Sequence, residues 1–193
     1  MPDRDDLTGV EALLQGISLR AIELPANNIP EDGRAYTYQA DAGELERLGQ
    51  VIGHGAFRSL VISYGVAPFR KNLVRMTSKL TGEITQTCGI SLVEVQNLLD
   101  DEAVTLFVPE RKFEEMANLD DDDVLCDENF EPINDRRLEI GRVLYEQLVG
   151  AVDPYPRVAG VEFDPASGSD GELGNAEEGP FAALSKLKKD VKN

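Results

Sequence analysis

The sequence predicts an α+β fold: a curved, mostly antiparallel β-sheet, a meander that is partly barrel-like, with one main amphipathic helix packed on it. Three observations predict it. Between Leu60 and Val108 apolar residues alternate with polar ones in successive short runs, and no helical pattern interrupts them; strands that follow one another in this way pair antiparallel. Further on, Ile140, Val143, Leu144, Leu148 and Val152 recur at helical spacing and form one apolar stripe. With 193 residues, 41 % apolar and 28 % charged, the chain has the composition of one globular domain with tails.

Residues 1–16 are polar and acidic around Val10, Leu13 and Leu14, and read as a flexible arm. The domain is expected over residues 17–160. From Ile17 to Leu24 the alternation of Ile17, Leu19 and Ala21 with Ser18, Arg20 and Glu23 predicts a strand, ended by Pro25 and two asparagines. Asp41 opens a short helix whose stripe is Leu45, Leu48, Val51 and Ile52, and Gly53 and Gly55 stop it. The strand patterns then centre on Leu60 to Val66, on Val74 to Leu80 beyond a turn near Pro68, and on Ile84 to Cys88. Two more, at Val95 to Leu99 and Val104 to Val108, are separated by an expected turn at Asp100, Asp101 and Glu102.

Residues 110–131 carry ten acidic residues, Asp120, Asp121, Asp122 and Asp123 among them, against Arg111 and Lys112. Such a block reads as a solvated loop. The main helix is expected over residues 136–152. Asn134 and Asp135 are its candidate caps, and Pro154 ends it by pushing Asp153 out of the helical region. Gly141 and Gly150 lie inside it; each costs roughly 1 kcal/mol against alanine, so either the helix is marginal or another backbone passes close. Residues 161–179 are rich in Gly, Ser, Asp and Glu and predict a flexible linker. Over 180–193, Phe181, Leu184, Leu187 and Val191 alternate with Lys186, Lys188, Lys189 and Lys192 in a short basic amphipathic helix.

Charge excludes some functions. Nineteen Lys and Arg stand against 36 Asp and Glu, a formal net charge of −17, which repels nucleic acid at long range and favours a basic partner. Four tail lysines could neutralise only about four phosphates, a weak direct RNA contact at most. No apolar run approaches the ~20 residues of a membrane span, and the N-terminus lacks a secretory pattern. The expected place is the cytoplasm, with Cys88 and Cys126 as reduced thiols.

No catalytic or metal site emerges. Cys88 is followed at the zinc-knuckle position by Ser91, and no second pair exists, so it reads as a buried strand cysteine. Cys126 sits among carboxylates that disfavour a thiolate. His54, the sole histidine, lies between two glycines in a turn, and its GHGAFR stretch lacks the third glycine of a dinucleotide fingerprint. From Asp120 to Glu131 acids occupy calcium-loop positions one, three and twelve, but Val124 and Leu125 replace the fifth ligand and the turn glycine.

Three features taken together resemble a known family: TCGISLVEVQ leading into strands, an acidic segment ending in EPIN before RRLEIGRVLYEQLVGAVDPYPR, and GPFAALSKLKK at the C-terminus. Their order is similar to the YceD-like family, the large ribosomal RNA subunit accumulation proteins, in the form common in alphaproteobacteria. The resemblance implies a cytoplasmic bacterial protein needed for accumulation of large-subunit (23S) rRNA. It supplies no catalytic residue, cofactor, membrane or small-molecule substrate. Many relatives carry a Cys-x-x-Cys pair, some with further cysteines after the helix, where this chain has Cys88 with Ser91 and then Val158 to Gly160, so their suggested metal binding does not carry over.

The functional expectation is a non-enzymatic factor in large-subunit biogenesis that binds a basic ribosomal protein, rRNA or a precursor particle. An acidic holding chaperone for a basic partner outside the ribosome is the alternative, and a carboxylate-and-metal hydrolase a third class. The stripe from Ile140 to Val152 is expected to be structural. Asp153, Pro154, Tyr155, Pro156 and Arg157 are the expected contact surface, with Phe181, Leu184, Lys186, Leu187, Lys188 and Lys189 of the tail and Asp120 to Asp123 as further partner-binding candidates.

Overall fold

In the computed structural model the described residues are 14, 16–53, 55–70, 72–117 and 129–160. The described residues through Val158 belong to one compact unit, and Ala159 and Gly160 fall in a second. The expected arm through residue 13, the run at Asp120 to Asp123, Cys126, His54, the linker over 161–179 and the basic helix over 180–193 lie outside the described residues.

A five-stranded sheet carries the first unit, in the order β2 (Arg34–Gln39), β3 (Ala56–Phe69), β4 (Leu73–Thr87), β5 (Glu94–Pro109) and β6 (Asn129–Ile133). The first four run antiparallel to their neighbours, and β6 joins β5 in parallel, with Thr105 opposite Asn129. The sheet is curved and open, with β2 and β6 at its edges, so the expected partial barrel does not close. One face is buried. Leu60, Ile62, Tyr64 and Val66 of β3 alternate inward and join Met76, Leu80 and Ile84 of β4 and Leu99 and Phe107 of β5. That period of two makes register matter, because a one-residue slip would turn the whole set to the outside.

Two strand expectations merge into one. Asp100, Asp101 and Glu102 do not turn; they lie within β5, opposite Thr81, Leu80 and Lys79 of β4. Lys79 Nζ approaches Asp100 at 3.4 Å and Glu102 at 2.8 Å, so a cross-strand cation offsets the like charges that suggested a break. Pro68 likewise stays in strand, Phe69 pairs with Leu73 of the returning strand, and Arg70 and Asn72 adopt positive φ.

Helix α1 (Ala42–Ile52) follows its sequence signals. The Asp41 side chain accepts the Glu44 N–H, and Gly53 ends the helix with φ 71°. The expected strand over Ile17 to Leu24 is instead a 3-10 turn, Ser18–Ala21, followed by the two-residue β1 (Leu24–Pro25). A tertiary partner overrides the alternation: Glu44 of α1, 3 % exposed, accepts hydrogen bonds from the Leu19 N–H at 3.0 Å and the Ser18 hydroxyl at 2.7 Å. An extended chain could not direct both groups at one carboxylate so readily.

The acidic block is also more ordered than expected. Glu110–Ala117 form helix α2 and residues 129–133 form β6. The main helix, α3 (Ile140–Ala151), starts later than expected, because Asn134 and Asp135 serve a hairpin and not a cap. Asp135 and Arg136 both have positive φ, and the Arg137 N–H donates to the Asn134 carbonyl at 2.7 Å, the signature of a primed two-residue turn. That turn returns the chain as β7 (Arg137–Leu138), which pairs with β1. The capping role passes to backbone: the Gly141 N–H donates to the Ile22 carbonyl at 2.8 Å. From there Ile140, Val143, Leu144 and Leu148 enter the core, as the stripe requires.

Candidate functional site

Helix α3 ends at Ala151, Val152 is the last core residue, and residues 153–157 leave along the end of β4. Two prolines limit the conformations of this exit. Hydrogen bonds fix the rest. The Asp153 carboxylate accepts the Tyr155 N–H at 2.8 Å, an Asx turn. The Asp153 carbonyl accepts from the Gln86 side-chain amide at 2.8 Å, and Gln86, 2 % exposed, is itself held by the Asn97 amide at 2.8 Å. Further on, the Gly89 N–H donates to the Pro156 carbonyl at 3.0 Å.

The turn after β4 is thereby stitched to the exit. Cys88, one residue past the strand's end, is buried, as the sequence suggests. Its sulfur is surrounded by donors: the Ser91 hydroxyl first, then the N–H groups of Ser91, Val158 and Ile90. They pull the thiol from its ordinary 9.0 down to about 6, against the opposing effect of burial. Ser91 closes the turn through its N–H at 3.4 Å from the sulfur, and the Cys88 N–H and carbonyl bond Val93 and Leu92. Buried behind the turn, this sulfur links the two segments.

Between exit and turn lies a cavity of about 400 Å³ lined by Thr87, Gly89, Ile90, residues 154–157, and the glycines that end α1. Gly55 brings that loop in: at φ 151°, a Cβ there would stand 2.4 Å from the Thr85 carbonyl oxygen. On the outer surface Tyr155 is 77 % exposed, Arg157 is exposed, and Leu92 and Val93 present apolar side chains to solvent. An aromatic ring, a guanidinium and exposed aliphatic groups on a braced backbone suit recognition of a partner. Among the described residues no three His, Cys, Asp or Glu side chains gather to hold a metal.

Of the expected site residues, Asp153, Pro154, Tyr155, Pro156 and Arg157 thus share one place. Phe181, Leu184, Lys186, Leu187, Lys188 and Lys189 and the Asp120 to Asp123 run lie outside the described residues. Gln86, Gly55, Gly89, Leu92 and Val93 are additions from the fold. The Cys88 sulfur and the Val158 N–H meet here.

The model of the YceD family, described as large ribosomal RNA subunit accumulation protein YceD, matches residues 76–188. The chain belongs to the YceD family. No curated protein and no solved structure matches it. The stretch that matches the YceD model starts inside β4 and takes in β5, β6, α3, the Cys88 turn and the exit, so most of the cavity's lining lies within the family region. No helix among the described residues is long and apolar enough to cross a membrane.

Proposed function

We propose that this YceD protein is a non-enzymatic cytoplasmic factor in large ribosomal subunit biogenesis, acting by holding a basic ribosomal protein or a precursor particle so that 23S rRNA accumulates. Family membership over residues 76–188 is the observation that carries the reading. The net charge of −17 supports a basic polypeptide over bare RNA as the direct partner. The exit surface is the proposed contact, with Tyr155 as its exposed aromatic anchor and Arg157 beside it.

Sedimentation of cell extracts tests it. The protein is expected with large-subunit precursors, and deletion is expected to lower 23S rRNA. If it never co-sediments with them and deletion leaves that RNA unchanged, the reading is wrong. Tyr155→Ala combined with Arg157→Ala removes exposed groups and should leave stability within about 0.5 kcal/mol. The doubly substituted chain is expected to fold normally and fail to restore rRNA accumulation; full restoration would remove the exit from the contact surface.

A further inference from the structure

Strand β5 is longer than the strand beside it. Thr105 to Pro109 pair with β6, whereas Glu94 to Val104 have a strand, β4, on one side only among the described residues. Two observations fix which backbone groups face the open side. The Cys88 N–H donates to the Val93 carbonyl at 2.9 Å, and from there β4 and β5 pair in unbroken register. Bonded and non-bonded pairs alternate in an antiparallel ladder, so the odd-numbered residues from Val95 to Ala103 turn their N–H and C=O groups to β4. Pro132 of β6 gives the same parity: opposite Val108 and without an N–H, it leaves donation toward β5 to Glu131 and Ile133, which bond the even-numbered residues. The N–H and C=O groups of the even-numbered residues from Glu94 to Val104 therefore point along the open edge.

Long open edges are templates for a further strand, and proteins guard them with proline, bulges or charge. Residues 94–104 contain no proline and no bulge. Their guard is charge. Glu94, Asp100, Asp101 and Glu102 lie on the strand and Glu83 stands opposite Leu98 on β4, while Lys79 pairs with both Asp100 and Glu102. Such a guard selects. A neutral or acidic strand would desolvate carboxylates without a countercharge, whereas a strand that brings cations would pair them. Leu98 adds an apolar contact: it is 79 % exposed, on the face opposite the buried Leu99. The edge also begins at the exit surface, since Leu92 and Val93 precede Glu94, and Asn97 holds the Gln86 amide that holds the Asp153 carbonyl.

We propose that the open edge of β5 accepts an extended basic segment of a partner polypeptide as an added strand, deepening the functional reading above and resting on it. Main-chain hydrogen bonds to alternate residues supply affinity, and the side chains on the two faces of the added strand supply specificity. On one face a Lys or Arg meets Asp101; on the other, cations meet Asp100 and Glu102 with an aliphatic residue between them on Leu98. An acidic segment is rejected by charge. Bare RNA offers neither the charge nor the amide ladder.

Binding of a fluorescent decapeptide of alternating lysine and valine to the full chain, at about 0.1 M salt where distant charges are largely screened, tests the edge. The peptide is expected to bind and its glutamate-valine counterpart to fail. The same lysine-valine peptide N-methylated at every residue keeps its charge and loses its donors, and is expected to bind about tenfold more weakly or worse. Residue-resolved hydrogen exchange reads the geometry. On binding, the amides of Gln96, Leu98, Asp100 and Glu102 should gain protection, whereas those of Asn97, Leu99 and Asp101 are protected by β4 in the free chain. Leu98→Pro removes a donor that β4 does not use and should weaken binding by about tenfold with the fold intact; should that variant not fold, the methylated peptide and the exchange pattern decide. The proposal is overturned if the methylated peptide binds like its parent, or if folded Leu98→Pro binds like the parent chain. It is also overturned if the even-numbered amides are protected in the free chain, because residues 118–128 or a second copy then occupy the edge. In cells, deletion that lowers 23S rRNA together with full rescue by Leu98→Pro overturns the edge and leaves the biogenesis reading standing. Deletion without any effect on that RNA overturns the reading itself, and the peptide measurements then judge the edge alone.

Discussion

The two halves of α3 use the same residue for opposite reasons. At its start, Gly141 is pressed against the 3-10 turn, and a Cβ there would stand 2.1 Å from the Leu19 carbonyl oxygen. At its end, Gly150 faces open space beside an anionic cavity and precedes the braced exit that carries Tyr155 and Arg157. The first half is a packing element whose glycine lets backbones touch. The second half is a surface element whose glycine leaves room. A helix with a continuous apolar stripe can thus be tightly packed at one end and open to solvent at the other.

Substitutions should separate the halves. Gly141→Ala is expected to have the largest effect, a loss of about 3 kcal/mol, since the opposing atoms are backbone and cannot swing aside. Chemical denaturation gives the figure, and a loss under about 0.5 kcal/mol would mean that the helix is not pinned there. Glu44→Ala comes next, at about 2 kcal/mol, because it strips the buried Leu19 N–H and the Ser18 hydroxyl of their acceptor. Loss of the 3-10 turn's amide protection in hydrogen exchange would confirm where the damage lies. Gly150→Ala should act in the other direction, stabilising by up to about 1 kcal/mol through helix propensity. Destabilisation would show that the second half is as tightly packed as the first.

A pH dependence at the exit completes the set. Cys88 in the fold titrates near 6 against an ordinary 9.0, so between those values the unfolded chain holds a proton that the folded chain has released. Its contribution is therefore complete above about pH 9 and is lost as pH falls through about 6. Stability should rise with pH across that window in the parent chain more steeply than in Cys88→Ser. Equal slopes would mean that the donors around the sulfur do not favour the thiolate.

Much of the scaffold was legible. Asp41 and Gly53 mark α1 because caps act within one turn of chain. The stripe of α3 and the alternation in β3 and β4 are equally local. Errors fell where a distant residue decided the outcome: Glu44 over the 3-10 turn, Lys79 over the continuity of β5, β1 over the hairpin that displaced the helix start. For the site, the Asp-Pro-Tyr-Pro-Arg exit was readable from its rigid composition, while Gln86 and Gly89, which brace it, are ordinary strand and turn residues until the fold sets them beside Asp153 and Pro156.

By itself the sequence determined the class of fold, the helix bodies, the surplus of acid and the stiffness of the exit, since each depends on composition or on neighbours a few residues apart. Only the tertiary structure decided which glycine is confined and which is free, that β6 joins β5 in parallel, and that the Cys88 turn meets the exit. Those outcomes depend on which surfaces meet, and contacts between residues tens of positions apart leave no periodic trace along the chain.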